Sequence, residues 1–145
     1  MLNRFVLDCS VTMSWCFEDK TTPFTETVLE SLSNQEAIVP SLWALEVVNV
    51  LIVAERKKRL SKADTVKFLN LLNFLPIVID QETTNKAFGD TISLARDYGL
   101  SAYDAAYLEL AMREDVVIVT LDKQLKKIAK KVGAQVWENK GSTLE

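Results

Sequence analysis

The sequence predicts an α/β domain of three layers, a parallel sheet with helices on both faces. Five short apolar runs rich in β-branched residues, Arg4–Leu7, Ala37–Val39, Ile77–Ile79, Val116–Thr120 and Ala134–Trp137, each have the length of a buried strand. Longer segments with helical periodicity separate them, and strands that alternate with helices join by parallel crossovers. A chain of 145 residues, 48% of them hydrophobic, supplies one core and is the size of one domain. The domain is expected over 1–138, and 139–145 reads as a loose C-terminal tail.

The first run, Phe5-Val-Leu-Asp8, ends on a carboxylate. Ser41 is expected to cap a helix reaching about Arg59, and Ser61 to cap the next, with Asp64 completing a capping box. Leu42 to Leu75 thus reads as an apolar helical hairpin, a surface for a second subunit or a partner helix. A helix from Glu82 to Tyr98 is closed by Gly99, and Ser101-Ala-Tyr-Asp104 opens another that ends near Arg113. The fourth run, Val116-Val-Ile-Val-Thr-Leu-Asp122, again ends on a carboxylate, which also suits the N-cap of a helix from Lys123.

Composition removes several kinds of chemistry. Without histidine, Ser-His-Asp catalysis, histidine-based RNA cleavage and the commonest zinc ligand are absent, leaving carboxylates, hydroxyls, lysines, thiols or an oxygen-bound metal. Cys9 and Cys16 form no C-x-x-C pair and read as reduced packing residues. Met1-Leu2-Asn3-Arg4 lacks a signal-peptide core, and Val47–Ala54, interrupted by Asn49, is far short of the roughly 20 apolar residues that span a bilayer. A cytoplasmic protein with no membrane association is expected. The net charge of −3 does not exclude a nucleic-acid partner, because charge is clustered.

Four acids carry the chemistry. In open α/β sheets ligands sit beyond the carboxyl ends of strands where strand order reverses, so Asp8 and Asp122 share a cleft if strands one and four are neighbours there. Glu46 interrupts a helix apolar on nearly every side. Its neighbours at three and four residues are Leu42, Trp43, Asn49 and Val50, so no local base compensates it. Asp104 likewise has Leu100, Ser101, Tyr107 and Leu108, though a capping role with Ser101 competes. Carboxylates that converge take up protons or bind a cation, and an all-oxygen set prefers Mg²⁺ or Mn²⁺. Such a site suits phosphoryl transfer with a metal-activated water. Lys123, Lys126, Lys127, Lys130 and Lys131 form one face of an amphipathic helix beside Asp122, placed to guide an RNA backbone or simply to be solvated. Arg56, Lys57, Lys58 and Arg59 form a second basic patch that also suits a helix C-terminus.

With Val-Leu-Asp8-Cys-Ser10, Glu46 with Asn49, Ser-Ala-Tyr-Asp104-Ala-Ala-Tyr-Leu-Glu-Leu-Ala and Val-Thr120-Leu-Asp122, the chain resembles the PIN-domain ribonucleases, most closely the toxin half of VapBC-type toxin–antitoxin modules. The resemblance implies a Rossmann-like sheet of about five parallel strands, Mg²⁺- or Mn²⁺-dependent endoribonuclease activity, a homodimer and a cognate antitoxin. By position, Asp8 and Asp104 match the firmest metal ligands, Glu46 and Asp122 the other acids, and Ser10 and Thr120 the hydroxyls that orient them. Rival readings are a binding module whose acidic cleft holds a partner, and an aspartate-dependent phosphatase or receiver domain. The phosphatase would want a second acid two residues after Asp8, where Ser10 stands, and the receiver domain would use Asp80 but lacks its acidic pair at strand one.

Overall fold

The computed structural model describes residues 3–138. Strands β1 (Asn3–Leu7), β2 (Gln35–Val39), β3 (Ile77–Ile79) and β4 (Val117–Val119) form one parallel sheet in the order β3-β2-β1-β4. Strand order reverses at β1, which pairs with β2 on one side and β4 on the other. Phe5, Val6 and Leu7 are fully buried, as a central parallel strand covered on both faces requires. A crevice therefore opens beyond the carboxyl ends of β1 and β4.

The fifth apolar run extends the sheet by a single parallel bridge, Ile118 to Val136, so the ladder proper has four strands. Two backbone bonds hold this segment, from the Ile118 N–H to the Gln135 carbonyl and from the Trp137 N–H to the Ile118 carbonyl, each at 2.9 Å, and side chains add to them. Trp137 packs edge-on against Phe5 at 5.3 Å between ring centroids and against Phe24 at 6.4 Å.

Around the sheet lie α1 (Cys9–Ser14), α2 (Pro23–Ser31), α3 (Trp43–Arg56), α4 (Lys62–Phe74), α5 (Thr83–Lys86), α6 (Ile92–Tyr98), α7 (Ala102–Glu114) and α8 (Lys123–Lys131). The box at Ser61 forms as expected: its hydroxyl accepts the Asp64 N–H at 3.1 Å, and the Asp64 carboxylate accepts the Ser61 N–H at 3.3 Å. Ser41, however, does not cap α3. Its N–H donates to the Thr83 hydroxyl at 3.0 Å, Leu42 takes the N-cap position without a side-chain bond, and the helix ends at Arg56 rather than Arg59. The segment expected as one helix from Glu82 to Tyr98 contains a π-helical stretch at Ala87–Thr91, where Gly89 weakens the α-helical preference, and it closes at Gly99 in the left-handed conformation, φ 65°. Helix α7 is the buried one, with Ala105 through Ala111 inaccessible against β1 and β4. The tail at 139–145 lies outside the described residues, among which no helix is long and apolar enough to cross a membrane.

Candidate active site

Asp8 sits where β1 gives way to α1 and is only 6% exposed. Two hydroxyls converge on its Oδ2: Ser10 donates at 2.6 Å and Thr120 at 2.7 Å. Those hydroxyls in turn accept backbone N–H groups, Ser10 from Leu121 and Thr120 from Asp122, each at 3.0 Å. Thr120 and Ser10 thereby tie the ends of β1 and β4 together around one carboxylate. Burial pushes the Asp8 carboxyl above its ordinary range, against the opposing pull of both hydroxyls.

Glu46, on the first turn of α3, is half-buried. The Tyr107 hydroxyl donates to its Oε1 at 2.6 Å across the cleft from α7. Burial raises its pKa, the Tyr107 bond lowers it, and repulsion from Asp8 and Asp104 raises it further. Tyr107 is fully buried, and sequence reasoning named it only as a helical neighbour of Asp104 and gave it no role in the site. Its spacing of three residues from Asp104, which puts both on one side of α7, was the available signal.

Asp104 opens α7. Ser101 accepts its N–H at 3.1 Å, but the Asp104 carboxylate does not return to the Ser101 N–H as Asp64 does in α4. The competing capping role thus occupies the backbone and leaves the side chain to the cleft. Burial first, then Asp8 and Asp122, push its pKa up. Asp122 is exposed and does cap α8, accepting the Leu125 N–H at 2.9 Å through Oδ1. The structure therefore brings all four sequence-predicted acids to the carboxyl edge of the sheet, delivered by β1, α3, α7 and the β4–α8 junction.

No ion pair involving these four occurs among the described residues. Asp80 makes the contrast. Burial would raise its pKa, yet two bonds from the Arg113 guanidinium, at 3.1 and 2.7 Å, hold it below the usual carboxylate range. That pairing also occupies the acid a receiver-domain mechanism would need.

By chemistry the donors suit a hard divalent cation: all are oxygens, and burial and mutual repulsion destabilise the charge on Asp8, Glu46 and Asp104 with no protein cation beside them. By placement they are near enough to repel one another, yet among the described residues no group of three or more His, Cys, Asp or Glu side chains forms a ready-made metal cage. A cavity of about 710 Å³ between Trp15–Asp19 and α4 touches none of the four.

Around the cleft, Asn49 is exposed one turn beyond Glu46. On α8, Lys123 and Lys127 are exposed and Lys126 is partly so, whereas Lys130 pairs with Glu138 and Lys131 lies over the Tyr98 ring. In the second basic patch Arg59 is engaged with Asp19 and stacks on Phe17.

Comparison with known proteins agrees with this architecture. Residues 5–131 match the sequence pattern of the PIN domain. No curated protein matches the chain by sequence. Among solved structures, PAE2754 from Pyrobaculum aerophilum superposes with a TM-score of 0.66 at 22% identity, over 94% of this chain and 92% of that one. A chain of VapBC2 from Rickettsia felis, bound to a DNA fragment from its promoter, gives 0.65 at 17% identity, over 93% and 99%. A chain of a toxin–antitoxin complex from Klebsiella pneumoniae gives 0.58 at 14% identity, over 92% and 95%.

Proposed function

Because the chain belongs to the PIN domain family, we propose that it is a divalent-metal-dependent endoribonuclease and the toxin half of a toxin–antitoxin pair working in the cytoplasm. The observation that carries the chemistry is the meeting of four carboxylates from four elements at the point of strand reversal, three of them with raised pKa and none with a basic partner among the described residues.

Asp8 and Asp104 hold the metal most firmly, with Glu46 and Asp122 completing the acidic set. Held by these residues, Mg²⁺ or Mn²⁺ would supply activation of a water and charge stabilisation at the scissile phosphate. The chain's own groups supply the frame. Ser10 and Thr120 fix the Asp8 carboxylate, Tyr107 fixes Glu46, and Asp122 is fixed by its bond to the Leu125 N–H. Asn49 supports the Glu46 arm. Lys123, Lys126 and Lys127 draw the RNA backbone towards the cleft, and Lys130, held by Glu138, contributes less.

A protein partner is supported by apolar side chains left in solvent on the hairpin, Leu45 and Val48 on α3 and Val66 and Phe74 on α4, with Phe74 88% exposed. A homodimer and an antitoxin helix both fit such a surface, and the Klebsiella complex is an assembly of this kind.

The test is cleavage of single-stranded RNA in Mn²⁺. Wild-type protein should cut. Asp8→Asn and Asp104→Asn should each lower the rate by on the order of a hundredfold or more while keeping the native circular dichroism spectrum. Full activity in either variant would refute the assignment.

A further inference from the structure

Tyr103 holds its ring in solvent, 61% exposed, one residue before Asp104. Positions four apart share a helix face, so Tyr103 stands one turn above Tyr107, whose hydroxyl reaches Glu46 at 2.6 Å. Helical side chains also lean towards the N-terminus, and the first turn of α7 carries Asp104. The ring is therefore carried in solvent on that turn, beside Asp104 and one turn before the residue that reaches Glu46. On the β4 side, Leu121 directly precedes Asp122 and is 40% exposed. Besides the exposed lysines of α8, two large apolar side chains thus adjoin the acids in sequence, and the Tyr103 hydroxyl makes no hydrogen bond among the described residues.

We propose that Tyr103 is a stacking platform for one unpaired base of the substrate RNA, adjacent to the phosphodiester held at the carboxylates, with Leu121 bounding the same base-binding rim. The inference rests on the nuclease reading above and adds to it the residue that contacts a base. An aromatic face accepts any base whose own face is free, whereas a base inside a duplex is already covered on both sides. Tyr103 thus selects unpaired RNA without reading its sequence.

The experiment uses the full chain, with end-labelled single-stranded RNA of random sequence and the same RNA annealed to its complement. Tyr103→Ala should raise KM on the single strand by on the order of tenfold with a smaller change in kcat, and Tyr103→Phe, which keeps the ring, should restore KM. Affinity for the single strand in EDTA, read by fluorescence anisotropy, should weaken in parallel, while affinity for the duplex stays put. Cleavage by wild type with an unchanged KM in Tyr103→Ala overturns the platform and leaves the nuclease intact. If wild type fails to cut, the nuclease reading falls, and an anisotropy difference between wild type and Tyr103→Ala still decides the base contact. A Tyr103→Ala protein with altered oligomeric state and unaltered RNA affinity assigns the ring to a protein interface and also overturns the proposal. Should the alanine variant fold poorly by circular dichroism, Tyr103→Trp replaces it, with tighter single-strand binding expected and weaker binding contrary.

Discussion

A buried carboxylate needs hydrogen-bond donors or a cation, and Glu46 and Asp8 meet that need differently. Asp8 has two hydroxyls on one oxygen, whereas Glu46 depends on the Tyr107 hydroxyl. Replacing Tyr107 by Phe keeps the packing volume and removes this donor, at a cost of about 1–3 kcal/mol for an acceptor left unsatisfied. Burial and then the nearby acids push the Glu46 pKa up while the Tyr107 bond pulls it down, so losing that bond should raise the pKa further. Tyr107→Phe should therefore lower RNA cleavage by on the order of tenfold and displace the pH profile of the rate to higher pH. A flat pH profile with wild-type rates would assign Tyr107 to packing alone. Glu46 and Asp104 were legible because neither has a base at three or four residues, and Asp8 and Asp122 because each closes a short apolar run, all purely local tests. Tyr107 was not, since its partner is 61 positions away and its neighbours are core alanines and leucines.

At the scale of elements, one arginine organises the far end of α7. Arg113 donates to Glu109 on its own helix and to Asp80 after β3, and approaches Glu114, which also pairs with Arg4 of β1. Asp80 and Glu109 are both buried, so Arg113→Met strands two carboxylates in the interior. An uncompensated buried charge costs about 3–5 kcal/mol, and urea midpoints should show a loss of this order. The pH dependence has a defined sign. Arg113 holds Asp80 below its ordinary value of 3.8, so its stabilisation is present above that value and fades as pH falls through the folded-state value. Wild type and variant should therefore converge under strongly acid conditions. The strands and most helices were readable because short β-branched runs and local caps such as Ser61 carry their own signal. Ser41 misled because a non-local bond to Thr83 took its backbone, and Ala134–Trp137 pairs with β4 over one bridge only, where Trp137 turns to the aromatic contacts of Phe5 and Phe24.

For the whole molecule, the cleft should set how stability responds to pH and metal. Asp8, Glu46 and Asp104 all have folded-state pKa values above those of the unfolded chain, so the native state binds their protons more tightly. The resulting penalty is absent below the unfolded values, near 4, and grows as pH rises through the raised folded ones. This window lies above the one in which Asp80 titrates, so the two effects separate on a pH axis. Metal-free protein should accordingly melt at a lower temperature at pH about 7 than at about 5. Mn²⁺ at a hundredfold excess over its dissociation constant should restore about 2.7 kcal/mol at neutral pH, and less on acidification as protons compete for the same oxygens. Asp104→Asn removes one charge from the cluster, so it should raise the melting temperature of the metal-free protein while shrinking the shift on adding Mn²⁺. A variant that loses stability without metal, or that keeps the full Mn²⁺ shift, would mean that Asp104 neither suffers the repulsion of its neighbours nor shares in holding the ion.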